Sequence, residues 1–281
     1  MSALSDVVLR AARYRRLPNP GFAAGTAAGE ACARLGDEVG GNTRAALEAV
    51  GDTRVDRSYL CSTIIDLPLS GDAFDHARFA EAVQAHGPHL PQTFVNAYEC
   101  SCWGYILRQV AQDVENEGTT RVMINIADVD VLNLTRWRAN EAWGASGFGI
   151  MTLLLDLGSQ ARAQIATGSA RTEQHVTEFV LATRKFVAET PELPLALPYL
   201  PQAVSGMFTR TLAPHDCLPN LNPELGHCFG SDPWVGIVRH RLGRPPAVER
   251  YIATSIALHG YWTLARVRVP ANAHISWENR P

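Results

Sequence analysis

Lysine is nearly absent from this chain of 281 residues: Lys185 stands alone against 24 arginines. A basic surplus is absent as well. Lysine and arginine total 25 against 28 acidic residues, for a net charge of −3. A dedicated nucleic-acid binder needs a strong positive excess, so no nucleic-acid partner is expected. Long apolar runs are missing, since no window approaches the ~18 uncharged apolar residues that span a bilayer. The N-terminal stretch MSALSDVVLRAARYRRLP has no apolar segment of signal-peptide length. A cytoplasmic protein without a membrane partner is expected. Six cysteines (Cys32, Cys61, Cys100, Cys102, Cys217 and Cys228) are too few for a disulfide scaffold of this size. In a reducing compartment such cysteines are buried, reactive or metal-bound. Charged residues make up only 19% while apolar residues reach 46%, which supplies a sizeable core and excludes wholesale disorder.

Strand and helix patterns alternate. VVLRAARY (7–14), YLCSTIID (59–66), TFVNAYEC (93–100), RVMINIADVDVL (121–132) and GFGIMTLLLDL (147–157) read as strands. Residues 26–50, interrupted by Gly40-Gly41, 74–87, and 103–118 closed by Gly118, read as helices. A Pro/Gly loop follows residue 66. The second part is compressed: strand 161–170, helix 175–189, a proline-marked segment to Pro201, strand 206–214, helix 232–242, and strands 251–260 and 261–270. The alternation implies an α/β class with a mostly parallel sheet, in two halves, 1–158 and 159–281.

Cys100 stands between a strand and a helix. A helix N-terminus lowers a thiol's pKa through its dipole and free N–H groups. A nucleophile on such a turn suits acyl transfer, and its own N–H can face an oxyanion. The alternative is a buried structural cysteine. His215, after Pro214, is placed to activate a thiolate or serve as a general base, or else is a loop histidine. His227 and Asp232 lie in a turn-rich loop, either one a possible third polar group. Gly260 sits at a strand joint, where it either lets backbone approach a ligand or makes a plain hairpin turn. Arg239, Arg241 and Arg244 form a basic run suited to a phosphopantetheine or CoA phosphate, or simply a solvated helix end. His215, Cys217, His227 and Cys228 offer four zinc-ligand types within 14 residues. Their H-x-C and H-C spacing is not the usual C-x₂-C, so no metal is expected.

In order, these segments resemble the thiolase superfamily, in its ketoacyl synthase III branch of condensing enzymes. The block FVNAYECSCWGYILRQVAQDVENEGTTRVMINIADVD keeps that family's spacing of Phe94, Cys100 and Tyr105. WGASGFGIMTLLLDL resembles its glycine-rich strand, LAPHD its histidine loop, GHCFGSD its asparagine loop and IALHGYWTLARVRV its C-terminal strand pair. The resemblance implies a layered αβαβα fold with two similar halves, and a homodimer or a heterodimer with a related subunit. It implies Cys100 as nucleophile, His215 as catalytic histidine, and Cys100 and Gly260 as oxyanion-hole donors. Two departures stand out. Ala145 replaces a common aspartate, and His227 stands where asparagine is expected, with Asp232 five residues on. The chain is also shorter than the family's usual size, which implies trimmed substrate-covering loops.

The activity implied is acyl transfer from acyl-CoA or an acyl carrier protein to Cys100, without a permanently bound cofactor. The acyl group then passes to a malonyl-type carbon by Claisen condensation, in specialised, fatty acid or polyketide metabolism. Loss of the asparagine weakens condensation and brings forward an acyltransferase that forms an ester or amide, with His215 and Asp232 as the base. A non-catalytic partner subunit is the third reading.

Overall fold

The computed structural model describes residues 7–18, 26–65, 74–117, 120–131, 137–171 and 173–279. The Pro/Gly loop at 66–73, the Gly118 helix stop and Leu132 lie outside these residues. The class is α/β, as expected, with a large central sheet.

The first half supplies β1 (Val7–Arg16), α1 (Ala28–Val50), β2 (Arg57–Cys61), α2 (His76–Gln84), β3 (Thr93–Val95), α3 (Cys102–Glu117), β4 (Thr120–Asp128) and β7 (Gly149–Leu157). A small hairpin, β5 (Ala139–Asn140) with β6 (Gly144–Ala145), precedes β7. The second half supplies β8 (Ile165–Ser169), α4 (His175–Val187), β9 (Leu195–Ala196), α5 (Gln202–Leu212), α6 (Asn222–Leu225), α7 (Asp232–Leu242), β10 (Glu249–Ile256), β11 (Tyr261–Val269) and β12 (His274–Asn279). The strand order is β3-β2-β4-β7-β1-β11-β10-β9. The halves join where β1 pairs β11 at Val7 and Val8. The chain's last strand, β12, lies parallel to β1, back in the sheet of the first half.

Three apolar zones give the layers. α1 and α2 cover one outer face through Leu35, Val39, Phe79 and Val83. α4 and α5 cover the other through Phe179, Val187, Phe208 and Leu212. Between them α3 and α7 are buried among strands of both halves, and the Trp103 and Trp234 rings meet edge-to-face at 4.9 Å.

Three expectations are corrected. The sheet is mixed, because β7 runs antiparallel to β1 and β4, and β11 to β10 and β8. β10 and β11 are linked by a short turn rather than by a crossover helix, and short links join antiparallel strands. Gly40-Gly41 does not interrupt α1. A Cβ on Gly40 would stand 2.9 Å from the Val83 carbonyl, so the glycine is where α2 crosses. The segment 206–214 is not a strand. Its residues up to Leu212 belong to α5, and Val204, Phe208 and Leu212 recur at helical spacing on the packed face of that helix.

Candidate active site

TFVNAYEC is strand only over Thr93–Val95. The chain then turns through Tyr98 and Glu99, both in the left-handed region (φ 70° and 47°), into a 3₁₀ turn, Glu99–Ser101, that leads into α3. Two consecutive non-glycine residues in that region store strain, which the surroundings must hold in place. Ser101 Oγ donates to the Ser255 and Tyr261 carbonyls, and Trp103 Nε1 to Ser255 Oγ at 2.9 Å. The turn is thereby locked to β10 and β11. Cys100 is 8% exposed and touches a cavity of about 520 Å³.

His227 Nε2 stands 3.8 Å from Cys100 Sγ. The loop carrying it is bonded to the segment before β7: His227 N–H donates to the Ala145 carbonyl and Gly147 N–H to the His227 carbonyl, both at 2.8 Å. On its far side His227 Nδ1 lies 2.6 Å from Asp232 Oδ2 and 3.0 Å from the Tyr199 carbonyl. Both neighbours accept, so the Nδ1 proton points at them and Nε2 faces the sulfur. Asp232 is fully buried at the first residue of α7, where the helix dipole favours a carboxylate. It also accepts the Tyr199 and Cys228 N–H groups at 2.8 and 2.6 Å.

Burial raises the Cys100 thiol above its ordinary value, against the pull of His227. Burial works against a charged His227 ring, but the Asp232 carboxylate outweighs it and moves the imidazole well upward. Burial also raises Asp232, opposed by His227 and the two backbone N–H groups. Thr63 Oγ1 lies 3.6 Å from Cys100 Sγ. Its loop is held by Asp128, a 1% exposed carboxylate at the end of β4, which burial pushes up to about 7. Asp128 and Thr63 were not singled out in the sequence; the signal was an aspartate in the apolar run VMINIADVDVL.

The cavity wall is largely apolar: Trp137, Trp143, Leu200, Phe208, Phe229 and Ile256 line it. At the rim Glu99 accepts from the His259 ring and, at 3.3 Å, from its N–H.

The other candidates lie apart. His215 is in the turn after α5, half-exposed, with its N–H on the Leu212 carbonyl, and is not among the cavity residues. The segment before it is a helix and not a strand, so it follows a helix end. Gly260 has φ 90° in the β10–β11 turn; its N–H donates to the Ala257 carbonyl at 3.1 Å and is committed there. Its missing side chain makes room at that turn for the Ala170 carbonyl. Arg239 pairs with Glu224 at 2.9 Å, and Arg241 and Arg244 face Glu249 at 3.4 and 3.8 Å. None of the three lines the cavity. Cys228 turns into the central core, while Cys217 Sγ faces the His215 carbonyl. Among the described residues no three His, Cys, Asp or Glu side chains converge as metal ligands, and no helix is long and apolar enough to cross a membrane.

Neither a family model nor a curated protein sequence matches this chain. Solved structures do. ChlB3, described as an acyltransferase, superposes with a TM-score of 0.68 at 12% identity over 95% of this chain and 99% of its own. The 3-oxoacyl-(acyl carrier protein) synthase III, FabH, from Pseudomonas aeruginosa PAO1 gives 0.63 at 15% over 94% and 98%. OleA from Xanthomonas campestris, as its E117Q variant, gives 0.57 at 14% over 93% and 97%. The resemblance read from the sequence holds at the level of fold: the chain has the thiolase-type fold of the ketoacyl synthase III-like enzymes.

Proposed function

We propose that this chain is an acyltransferase that carries an acyl group on Cys100 and passes it to a hydroxyl or amine acceptor. The observation that supports this reading is the order Cys100, His227, Asp232. One imidazole stands between a buried sulfur and a buried carboxylate, with its free nitrogen toward the sulfur.

His227 Nε2 takes the Cys100 proton, and the thiolate attacks the carbonyl of an acyl thioester. The oxyanion forms at the N-terminal end of α3, where N–H groups and the dipole favour negative charge. The C–S bond to the donor then breaks, and the leaving thiolate takes the proton from His227. In the second half-reaction the acceptor gives its proton to Nε2 and attacks the Cys100 thioester. Cys100 leaves, and the proton returns to its sulfur. Asp232 fixes the tautomer and steadies the imidazolium at both stages. The apolar wall suits an uncharged acyl group. The donor proposed is acyl-CoA or acyl carrier protein, and the assembly a dimer. The fold shared with the synthase structures supports a second reading, condensation with a malonyl unit in the same second half-reaction.

Intact mass of the protein after incubation with acyl-CoA tests the first step. The acyl adduct is expected on the wild-type chain and absent from Cys100→Ala. No adduct from any acyl donor favours the partner-subunit role instead. Given an adduct, a malonyl thioester that releases carbon dioxide assigns condensation, and loss of the adduct to an alcohol or amine assigns transfer.

A further inference from the structure

Asp128 sits where the site's two flanking loops meet. Its Oδ1 accepts the Thr63 N–H at 2.8 Å and the Ser62 hydroxyl at 3.2 Å. Its Oδ2 accepts the Gly230 N–H at 3.0 Å. The first loop brings the Thr63 hydroxyl to the Cys100 sulfur. The second, between His227 and Asp232, lies against the Cys100 backbone: a Cβ on Gly230 would stand 3.5 Å from the Cys100 carbonyl. The carboxylate is buried at the end of a central strand, and its donors come from two segments far apart in the chain.

We infer that Asp128 is a positioning residue for acyl transfer: its two oxygens tie the Thr63 loop to the Gly230 loop and so hold the Thr63 hydroxyl and the His227 ring against the Cys100 sulfur. The inference rests on the acyl-transfer reading above. The tie needs the ionised form. A protonated oxygen becomes a donor and opposes an N–H that it must accept. Burial brings that titration to about 7, and the groups that face the carboxylate are Cys100, Cys102, His227 and Cys228. Acyl transfer therefore carries a fall as pH drops through about 7, separate from the one at higher pH where His227, whose pKa is raised, loses its free nitrogen. The same charge opposes thiolate formation on Cys100.

The test compares wild type with Asp128→Asn, following acyl-CoA acylation of Cys100 by intact mass from pH 5.5 to 9. The substitution keeps the shape but turns an amide toward Gly230 or Thr63. The expected result is a rate lower by about tenfold or more, the range of one lost site hydrogen bond, together with disappearance of the fall near pH 7. A lower rate that keeps the wild-type fall overturns the inference, as does an unchanged rate. If Asp128→Asn does not fold, Ser62→Ala decides. Losing one donor raises the Asp128 pKa, so the fall moves to higher pH, and an unmoved fall overturns the inference. If no acyl donor acylates wild-type Cys100, the transfer reading fails and iodoacetamide labelling replaces it. Asp128→Asn should then label Cys100 several-fold more slowly at neutral pH, since the His227 ring and the Thr63 hydroxyl that favour the thiolate are no longer held against it; equal or faster labelling rejects the role of Asp128.

Discussion

Asp232 holds His227 by its Nδ1 edge at 2.6 Å, in a place that water does not reach. That contact decides which nitrogen is free for Cys100. It also sets the cost of losing the carboxylate, because the His227 edge is then buried without its charge partner. Asp232→Asn should lower Cys100 acylation by about 10²–10⁴-fold, the usual worth of a positioned acid–base group. It should also cost about 3–5 kcal/mol of stability, the range for breaking one side of a buried pair. Stopped-flow acylation and urea unfolding measure the two effects. A stable, fully active Asp232→Asn would remove the base assignment.

The two histidines separate cleanly by mutation. His227→Ala should cost about 10²–10⁴-fold in acylation. His215→Ala should stay within about twofold, because a half-exposed loop side chain away from the cavity carries little. Parallel rate measurements on the two variants check this. The opposite ranking restores the histidine that the sequence pattern favoured.

Cys100 was legible in the sequence because its setting is local: a short apolar run, then a helix whose packed face repeats at Trp103, Leu107, Val110 and Val114. His227 and Asp232 stand among the candidates as a third polar group, but the pattern puts His215 in the place directly beside the sulfur. The nearness of His227 depends on a loop-to-loop bridge between Ser146 and His227 and on the carboxylate behind the ring, and no spacing encodes either. The Pro-His sequence at 214–215 drew attention because the residues before it are apolar and β-branched enough to pass as a strand. In the fold, Phe208 and Leu212 pack against the β10 face as one side of a helix. Alternating strands and helices gave the α/β class. They could not give strand direction, which is set by links as short as the β10–β11 turn. The pairing of β12 with β1 joins the two ends of the chain and leaves no local trace.

α3 is seated through Gly104. A Cβ there would fall inside the Thr263 side chain of β11, so the helix approaches the strand as closely as it does only because that position has no side chain. Gly104→Ala should destabilise the fold by about 1–3 kcal/mol, the cost of overpacking a dense interior. Thr263→Ala in the same chain should recover part of it. Urea unfolding of the single and double variants gives the coupling. Strictly additive effects would show that the helix shifts freely instead.

Asp128 also predicts how stability varies with pH. Burial moves its pKa from the ordinary 3.8 to about 7, so folding favours the protonated form. The sign follows from linkage. The stabilisation is complete below the unfolded value and is lost as pH rises through the folded one. Between about pH 4 and 7 this group alone should remove about 4 kcal/mol, at about 1.4 kcal/mol per unit. Asp156, held below its ordinary value beside Arg121 and Arg10, slopes the other way, but it does so equally in a variant. The difference between wild type and Asp128→Asn therefore isolates the one carboxyl. Urea unfolding at intervals from pH 4.5 to 8 should show the two curves drawing apart below 7 and running parallel above it. Curves parallel throughout would mean that Asp128 is ionised over the whole range. In that case the proton gained near neutrality, which strengthens the fold while loosening the tie between the Thr63 and Gly230 loops, does not bind there.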